Sequence, residues 1–221
     1  MTQSGNPNDQ VRGTASRRER ERAQRRDDIL RAARGVFFER GFHTVTVDDI
    51  AVAAEVGKGT VYLYFDTKET ILAHLLLEGL DMLVAELEAA YAADQQLAAR
   101  TRLRSMAEAY LKFFQQNPEY YRLLMAFDRG QFQATIDAGV YQEVHARSLH
   151  GIEWLERAVK QAQEEELITV ENPREAAGVF WAGLNGVLVL LSHPLRAEII
   201  ATDLESLYGT MTEVLIDGLG K

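Results

Sequence analysis

The stretch that decides the fold is VDDIAVAAEVGKGTVYLYFD, which occupies residues 47–66. Its apolar positions would let two short helices pack across a tight turn, with the small Ala51 where the helices approach most closely. These positions are Ile50, Ala54, Val56, Val61 and Tyr64. The pattern is typical of a helix-turn-helix motif. Because five apolar positions also fit other small helical hairpins, the flanking sequence has to separate the two interpretations.

Helix signals precede this stretch. Apolar residues recur at helical spacing from Ile29 to Phe37, and Gly41 after Arg40 is a typical helix stop. Thr46 followed by Asp49 approximates a capping box, which predicts that the first short helix begins there. The sequence therefore predicts three helices in succession, of which the second and third are short.

Further helices follow to the end of the chain. Asp66, with Glu69 three residues on, predicts the start of a long fourth helix. Asn117 and Asn172 each place a capping residue before a proline at the first helical position. Pro194 is expected to close the helix that begins at Asn172, and Thr202 to cap the last helix.

The fold class predicted from these signals is all-α, with about nine helices. Proline and glycine are scarce and no alternating strand pattern occurs. The polar residues 1–16 are expected to be disordered, residues 17–66 to form the helix-turn-helix domain, and residues 67–221 to form a second helical domain.

The charge is unevenly distributed. The chain has a net charge of −9, yet residues 1–66 carry 11 basic against 10 acidic side chains. Seven arginines lie between Arg12 and Arg26 against only two glutamates, and such a run is either a solvated helix face or an attraction for phosphate. The absence of cysteine excludes disulfides and thiolate zinc sites, and the polar N-terminus lacks a signal-peptide pattern, so we expect a cytoplasmic protein.

The helix-turn-helix stretch resembles a known domain when it is taken with RRDDILRAARGVFFERGFHTVTVDDI before it and TKETIL after it. Over about residues 22–80 it is similar to the N-terminal domain of the tetracycline-repressor (TetR/AcrR) family of bacterial regulators. The matching features are the Gly41-Phe42 turn, Thr44, Thr46, Ile50-Ala51, Gly57-Lys58-Gly59-Thr60, Tyr62-Leu63-Tyr64-Phe65 and Lys68. The C-terminal part resembles the family only in length and helix number.

One position departs from this resemblance. Such families commonly have glycine in the turn where this chain has Glu55, and a left-handed conformation costs a non-glycine residue roughly 1–2 kcal/mol. Gly57 also stands where a serine or threonine would cap the following helix. The turn is therefore the part of the motif in which we expect strain.

The resemblance implies a DNA-binding transcriptional repressor whose third helix enters the major groove. Lys58 can donate to guanine O6 or N7, and the methyl group of Thr60 suits a thymine methyl, so these two are the candidates for reading bases. The remaining candidate DNA contacts look like the family's phosphate contacts, which set register without reading sequence. They are Thr44, Thr46, Tyr62, Tyr64 and Lys68, although Tyr64 can instead pack in the domain core. Gly59 is a further candidate DNA contact.

The helix after Asn172 is unusually apolar, since Ala176–Leu195 carries no charge. Its length invites a membrane interpretation, which Asn185 within the span and small residues at every fourth position oppose. In the resembled family the last two helices of each subunit form a four-helix dimer interface, which here implies residues 173–192 and 202–219. The candidate dimer residues are Gly178, Ala182, Asn185, Gly186, Leu207 and Met211.

Aromatic residues are concentrated after position 66 and suit a cavity for an apolar or amphipathic ligand, although an aromatic at helical spacing is more often core. The candidate pocket residues are Tyr110, Phe114, Tyr121, Met125, Trp154 and Trp181. The resemblance implies that such a ligand favours a conformer unable to hold the operator.

An enzyme is the main alternative, and its motifs are missing from the sequence. The stretch from Gly57 to Thr60 lacks the serine or threonine after lysine that a P-loop needs. His145 and His150 lie five residues apart, which splays them around a helix, so we expect no metal site, no cofactor and no catalysis. A helical adaptor that dimerises without binding DNA stays open if the helix-turn-helix is degenerate.

Overall fold

The computed structural model describes residues 7–92 and 96–220, with side chains from residue 17 onward. The described residues form ten α-helices, one 3-10 turn at Gln133–Thr135 and no strand. The helices are α1 (Pro7–Arg40), α2 (Val47–Ala53), α3 (Lys58–Tyr62), α4 (Lys68–Ala92), α5 (Ala99–Gln116), α6 (Pro118–Asp128), α7 (Ala138–Glu164), α8 (Pro173–Leu191), α9 (Pro194–Ile200) and α10 (Leu204–Gly218).

The chain divides into two compact units. The first contains the chain up to Leu76 together with Met125–Tyr141, and the second contains Leu77–Leu124 and the chain from Gln142. The boundary lies within α4 rather than at residue 66, because the first apolar turns of this helix, including the fully buried Ile71 and Leu75, belong to the first unit.

The core of the first unit is built by α1 and the helix-turn-helix. Its fully or almost fully buried side chains are Ile29, Ala33, Phe37, Ile50, Val61 and Phe65. Burial of each large apolar side chain stabilises the fold by about 1.5–3 kcal/mol relative to exposure. Gly41 ends α1 with a positive φ of 83°, and its N–H donates to the Phe37 carbonyl at 2.8 Å, as the helix-stop pattern predicted.

The core of the second unit lies between α5, α8 and α10. On α8, the residues Phe180, Leu184 and Leu188 are buried, and Gly183 provides the close approach, since an added Cβ would lie 2.8 Å from Leu215 Cδ1 of α10. Arg100 and Arg104 of α5 both bind the Glu213 carboxylate of α10, and the hydrogen bond from Arg104 lowers the pKa of Glu213. These contacts hold the three helices together.

The structure differs from the sequence prediction at the chain's first residues. The backbone of residues 7–16, which we expected to be disordered, continues α1 as helix, while residues 1–6 of that segment lie outside the described residues. No proline follows Pro7 within α1, and the i,i+4 pair Arg17–Glu21 at 2.8 Å supports the helix on its exposed surface.

Helix boundaries differ from the prediction by one residue at two caps. Thr67 rather than Asp66 caps α4 and accepts from the Thr70 N–H at 3.0 Å, and Asp203 rather than Thr202 caps α10 and accepts from the Ser206 N–H at 2.7 Å. Pro194 does not simply end α8. It occupies the first turn of the additional short helix α9. Proline is tolerated there because the N–H groups of the first turn have no partner within the helix.

Candidate nucleic-acid interface

The first helix of the helix-turn-helix is fixed by the predicted capping box. The Thr46 hydroxyl oxygen accepts from the Asp49 N–H at 3.3 Å, and the Thr46 N–H donates to Asp49 Oδ2 at 2.8 Å. Hydrogen bonds from the Thr46 side chain and backbone lower the pKa of Asp49, and Arg40 adds an ion pair at 3.0 Å. Thr46 therefore has a structural role besides its candidate DNA contact.

The turn of the motif is intact despite Glu55. Glu55 adopts the left-handed conformation with a φ of 54°, and the Val56 N–H still donates to the Ala51 carbonyl at 3.0 Å. Gly57 caps α3 in an extended conformation and makes no side-chain cap bond. The strain expected from the sequence is therefore located at one residue, and the motif forms around it.

Replacing Glu55 with glycine is expected to raise the free energy of unfolding by about 0.5–1 kcal/mol. The substitution removes the left-handed strain of roughly 1–2 kcal/mol, and the greater flexibility of glycine in the unfolded chain offsets part of that gain. Urea denaturation of the full chain measures the change. Glu55→Ala retains the strain and is the matched control, so an equal gain in both variants would contradict this explanation.

The N-terminal end of α3 presents Lys58 to solvent. Its Nζ lies 2.8 Å from Asp48 Oδ2 of α2, and this contact raises the pKa of Lys58. Both side chains are at least half exposed, so the pair can open when a stronger anion arrives. Gly59 and Tyr62 are exposed beside it, Thr60 is half-buried, and a Cβ at Gly59 would meet nothing within 4 Å.

The loop before α2 is fixed by two other predicted residues. Lys68 Nζ donates to the carbonyls of Phe42 and Val45 at 3.1 and 3.2 Å, and the Thr44 hydroxyl donates to the Arg40 carbonyl at 2.6 Å. These bonds place Thr44 and Thr46 at the exposed end of the loop. The Lys68 contacts could not be predicted from local patterns, because their partners lie more than twenty residues away along the chain.

Tyr62 and Tyr64 differ in exposure. The Tyr62 side chain is 45 % exposed, whereas Tyr64 is half-buried and has the Arg22 guanidinium 5.9 Å above its ring. The structure therefore brings Lys58, Gly59 and Tyr62 together on the exposed surface of the motif. Tyr64 is partly covered and packs against Arg22 of α1.

Tyr62→Phe is expected to weaken binding to every duplex by a similar factor of about 3 to 10. A hydroxyl that donates to a phosphate adds affinity without reading sequence, and its loss leaves the ring packing unchanged. Fluorescence anisotropy on operator and scrambled DNA at one salt concentration measures both affinities. A loss confined to one base pair of the operator would contradict a phosphate contact.

The second unit contains a buried polar cluster among the predicted pocket residues. The hydroxyls of Tyr110 and Tyr121 donate to Asn185 Oδ1 at 2.8 and 3.1 Å, and Phe114 packs edge-on against Tyr121. Asn185 is 9 % exposed, so it lies inside its own unit rather than on the dimer face where the sequence prediction grouped it. Asn185 Nδ2 has no hydrogen-bond partner in the described part of the chain.

Tyr208 of α10 adds a further hydroxyl near this cluster, a residue the sequence reasoning missed. Its hydroxyl donates to the Ala107 carbonyl at 2.9 Å, and burial raises its pKa far above the usual range. Burial therefore favours the neutral form of the hydroxyl, which remains a donor.

The other three predicted pocket residues, Trp154, Trp181 and Met125, have different surroundings. Trp154 packs on Tyr91, with ring centroids 5.2 Å apart, and its Nε1 is buried without a partner in the described residues. Trp181 is 39 % exposed on α8, and Met125 belongs to the first unit. The structure thus brings together Tyr110, Phe114 and Tyr121, whereas Trp154 packs on another aromatic side chain.

One face of α8 is lined by small residues that touch little within the chain. Ala182 and Gly186 are exposed and Gly178 is half-buried, and a Cβ at either glycine would meet nothing within 4 Å. Leu207 and Met211 of α10 are half-buried.

Among the described helices, α8 alone is long and apolar enough to cross a membrane, and 39 % of its most apolar 18 residues are buried inside the protein.

The arrangement defines a class of protein, a helix-turn-helix DNA-binding regulator with a second helical unit. Two sequence profiles agree with it, one of bacterial regulatory proteins of the tetR family over residues 29–75 and one of the tetracyclin repressor-like C-terminal domain over residues 103–215. Together they match more than half of the chain. The protein therefore belongs to the TetR family of bacterial transcriptional regulators.

Relatives and structures support the same assignment. The chain is 34 % identical to the transcriptional activator FasR of Mycolicibacterium smegmatis over 107 residues, covering 48 % of each chain. It is 39 % identical to the repressor KstR2 of the same organism over 61 residues, covering 28 % of this chain and 30 % of that one. The matches thus span half or less of the length of these curated relatives.

A solved structure shows the same fold over most of the chain. It is the Bacillus subtilis regulator FadR in complex with stearoyl-CoA, at a TM-score of 0.64 and 20 % identity, covering 86 % of this chain and 97 % of that one. This similarity includes both the helix-turn-helix and the C-terminal helices. The family-level assignment thus agrees with the all-α fold predicted from the sequence.

Proposed function

We propose that the protein is a cytoplasmic homodimeric repressor that binds a pseudo-palindromic operator and releases it when a small molecule binds the second unit. The observation that carries this proposal is the exposed end of α3, where Lys58, Gly59 and Tyr62 lie together on a structurally intact helix-turn-helix. A helix presented in this way fits the major groove with its N-terminal residues at the base edges. The family assignment supports the same role.

Two subunits per operator follow from the symmetry of such sites. A twofold dimer sets two recognition helices about one helical turn of DNA apart, or a multiple of it, which matches a pseudo-palindrome. The small-residue face of α8 is the surface that supports this part of the proposal, because a second helix can approach it closely.

The ligand proposed for the second unit is amphipathic, with a long apolar part and a hydrogen-bond acceptor. Phe114 packs against Tyr121 beside the buried polar cluster of this unit, and the buried Asn185 Nδ2 is a donor that an acceptor of the ligand would satisfy. Because the similar FadR structure contains stearoyl-CoA, an acyl-CoA is the first probe to use. Such a ligand acts only if it binds the two conformers of the protein unequally.

The test is fluorescence anisotropy of the full chain on DNA from immediately upstream of its own gene, with scrambled DNA as the control. We expect preferential binding of two subunits per site, and binding to both duplexes that weakens as salt rises. Equal affinity for both duplexes would contradict operator recognition at this DNA. Absence of binding at low salt would favour the adaptor interpretation instead.

The ligand arm of the test adds stearoyl-CoA to the protein–operator complex, with coenzyme A alone as the control. Release of the operator by the acylated form only would support an apolar pocket. Tryptophan fluorescence from Trp154 and Trp181 reports binding independently of DNA. No fluorescence change and no release would contradict an acyl-CoA ligand, and tighter operator binding would make the protein an acyl-CoA-dependent binder instead.

A further inference from the structure

An arginine strip follows one face of α1 beyond the core of the first unit. We define the strip as Arg18, Arg22 and Arg25, all of which are exposed. At 100° per residue they share the face that carries Ile29, Ala33 and Val36, which are buried against the rest of the unit. The face of α1 that packs on the helix-turn-helix thus changes from apolar to arginine toward the N-terminus.

Contacts within the first unit tie the strip to the helix-turn-helix. The Arg22 guanidinium lies 5.9 Å from the centre of the Tyr64 ring, over its face. Tyr64 follows the last residue of α3, Tyr62, by two positions. Arg25 lines a shallow recess of about 330 Å³ together with Ala53, Ala54 and Glu55 of the turn. The strip therefore runs out from the same side of α1 as the candidate DNA-binding motif.

The strip differs from its neighbours in charge pairing. Arg17 pairs with Glu21 at 2.8 Å, and Arg31 pairs with Asp28 at 3.0 Å. Within the part of the chain whose side chains are described, no strip arginine makes an ion pair. Arg25 shares its recess with the Asp28 and Glu55 carboxylates but forms no ion pair with either, and Asp28 pairs with Arg31 instead. Exposed guanidinium groups that form no ion pair are suited to bind phosphate, and their planar shape allows two hydrogen bonds to one group.

We propose that the arginine strip is a second DNA-contacting surface, which binds backbone phosphates beside the base pairs read by α3. This inference rests on the proposed DNA-binding function and adds a surface outside the helix-turn-helix. From Arg18 to Arg25 the helix rises about 10 Å, a length of duplex axis that carries about six phosphate charges. The three strip arginines can therefore reach several phosphates, and such contacts add affinity without base specificity.

The test compares two double variants of the full chain. Arg18→Ala/Arg22→Ala removes two strip arginines, and Arg17→Ala/Arg20→Ala removes the same charge from positions outside the strip on the same helical turns. All four side chains are exposed, so neither variant should disturb the core. Anisotropy is measured on a 40-base-pair duplex of random sequence and on operator DNA over a series of salt concentrations.

For the strip variant we expect the negative slope of log K against log salt to become shallower by about 3 to 4. Each phosphate contact contributes about 0.9 to the size of this slope, and the variant loses two contacts in each of two subunits. The control variant should change the slope by less than about 1. The preference for operator over random DNA should stay unchanged in both variants, because phosphate contacts read no sequence.

Equal slopes in the two variants, or a strip variant like the wild type, would overturn the proposal. A wild-type protein that binds no duplex at low salt would overturn the strip and the proposed function together, whereas salt-dependent binding without operator preference would contradict only the latter. The same proteins are added to vesicles of phosphatidylcholine with 30 % phosphatidylglycerol. Strip-dependent vesicle binding together with strip-independent DNA binding would reassign the strip to a membrane surface.

Discussion

Placing an arginine at Ala182 is expected to dissociate the proposed homodimer and to weaken operator binding by about 100-fold or more. Ala182 is exposed on α8 between Gly178 and Gly186, where a second copy of the helix can approach closely. A twofold interface would bury the new guanidinium twice, and an unpaired buried charge costs about 3–5 kcal/mol. Since each 1.4 kcal/mol is tenfold in affinity, the expected loss exceeds 100-fold.

Sedimentation equilibrium measures the subunit mass, and anisotropy on the operator measures the affinity. Ala85→Arg is the matched control, because Ala85 is also an exposed alanine in the second unit, but on α4. The control should remain dimeric and bind the operator as the wild type does. If Ala182→Arg is dimeric with unchanged operator affinity, the interface lies on another face of the subunit.

Lys58→Ala is expected to reduce the preference for operator over scrambled DNA by about 5- to 150-fold. A lysine that donates to guanine O6 and N7 favours guanine over other bases by this factor. Scrambled DNA lacks that contact and loses only the electrostatic attraction of one positive charge. In the free protein Asp48 raises the pKa of Lys58, so the amine is fully charged at neutral pH when it meets DNA. Competition anisotropy with single-base operator variants measures the preference.

Asp48→Asn is the companion variant for Lys58. It removes the carboxylate that holds Lys58 Nζ at 2.8 Å, together with one negative charge near the DNA. We expect tighter binding to all duplexes and an unchanged order of preference among operator variants. A Lys58→Ala loss that is the same on every duplex would make Lys58 a phosphate contact rather than a base contact.

Local structure was predicted well because its causes lie within a few residues. Thr46 and Asp49 form the capping box, Gly41 ends α1, and Asn172 caps α8 before Pro173, all as the sequence indicated. The left-handed Glu55 was foreseen from its position in the turn of the motif, where the resembled family commonly has glycine and the turn imposes a positive φ. Cap positions at α4 and α10 were wrong by one residue, because two adjacent residues could each supply the oxygen.

The candidate site was predicted in part. The resemblance identified Lys58, Gly59 and Tyr62, which the structure brings together at one exposed surface. It did not indicate that Asp48 would hold Lys58, nor that Lys68 would bind the carbonyls of Phe42 and Val45. Those contacts join residues that are 10 or more positions apart, and a motif does not record which side chain reaches which partner.

The sequence by itself determined the helical class and the helix-turn-helix, because capping, turn chemistry and apolar spacing act over one or two helical turns. The family was indicated by the resemblance of residues 22–80 to a known domain. Only the tertiary structure decided the direction in which α8 turns its two faces, with Asn185 buried against Tyr110 and Ala182 left exposed. Helical periodicity places residues around an axis but does not say which side is covered. That choice depends on α5 and α10, whose contacts with α8 join residues up to 75 positions apart.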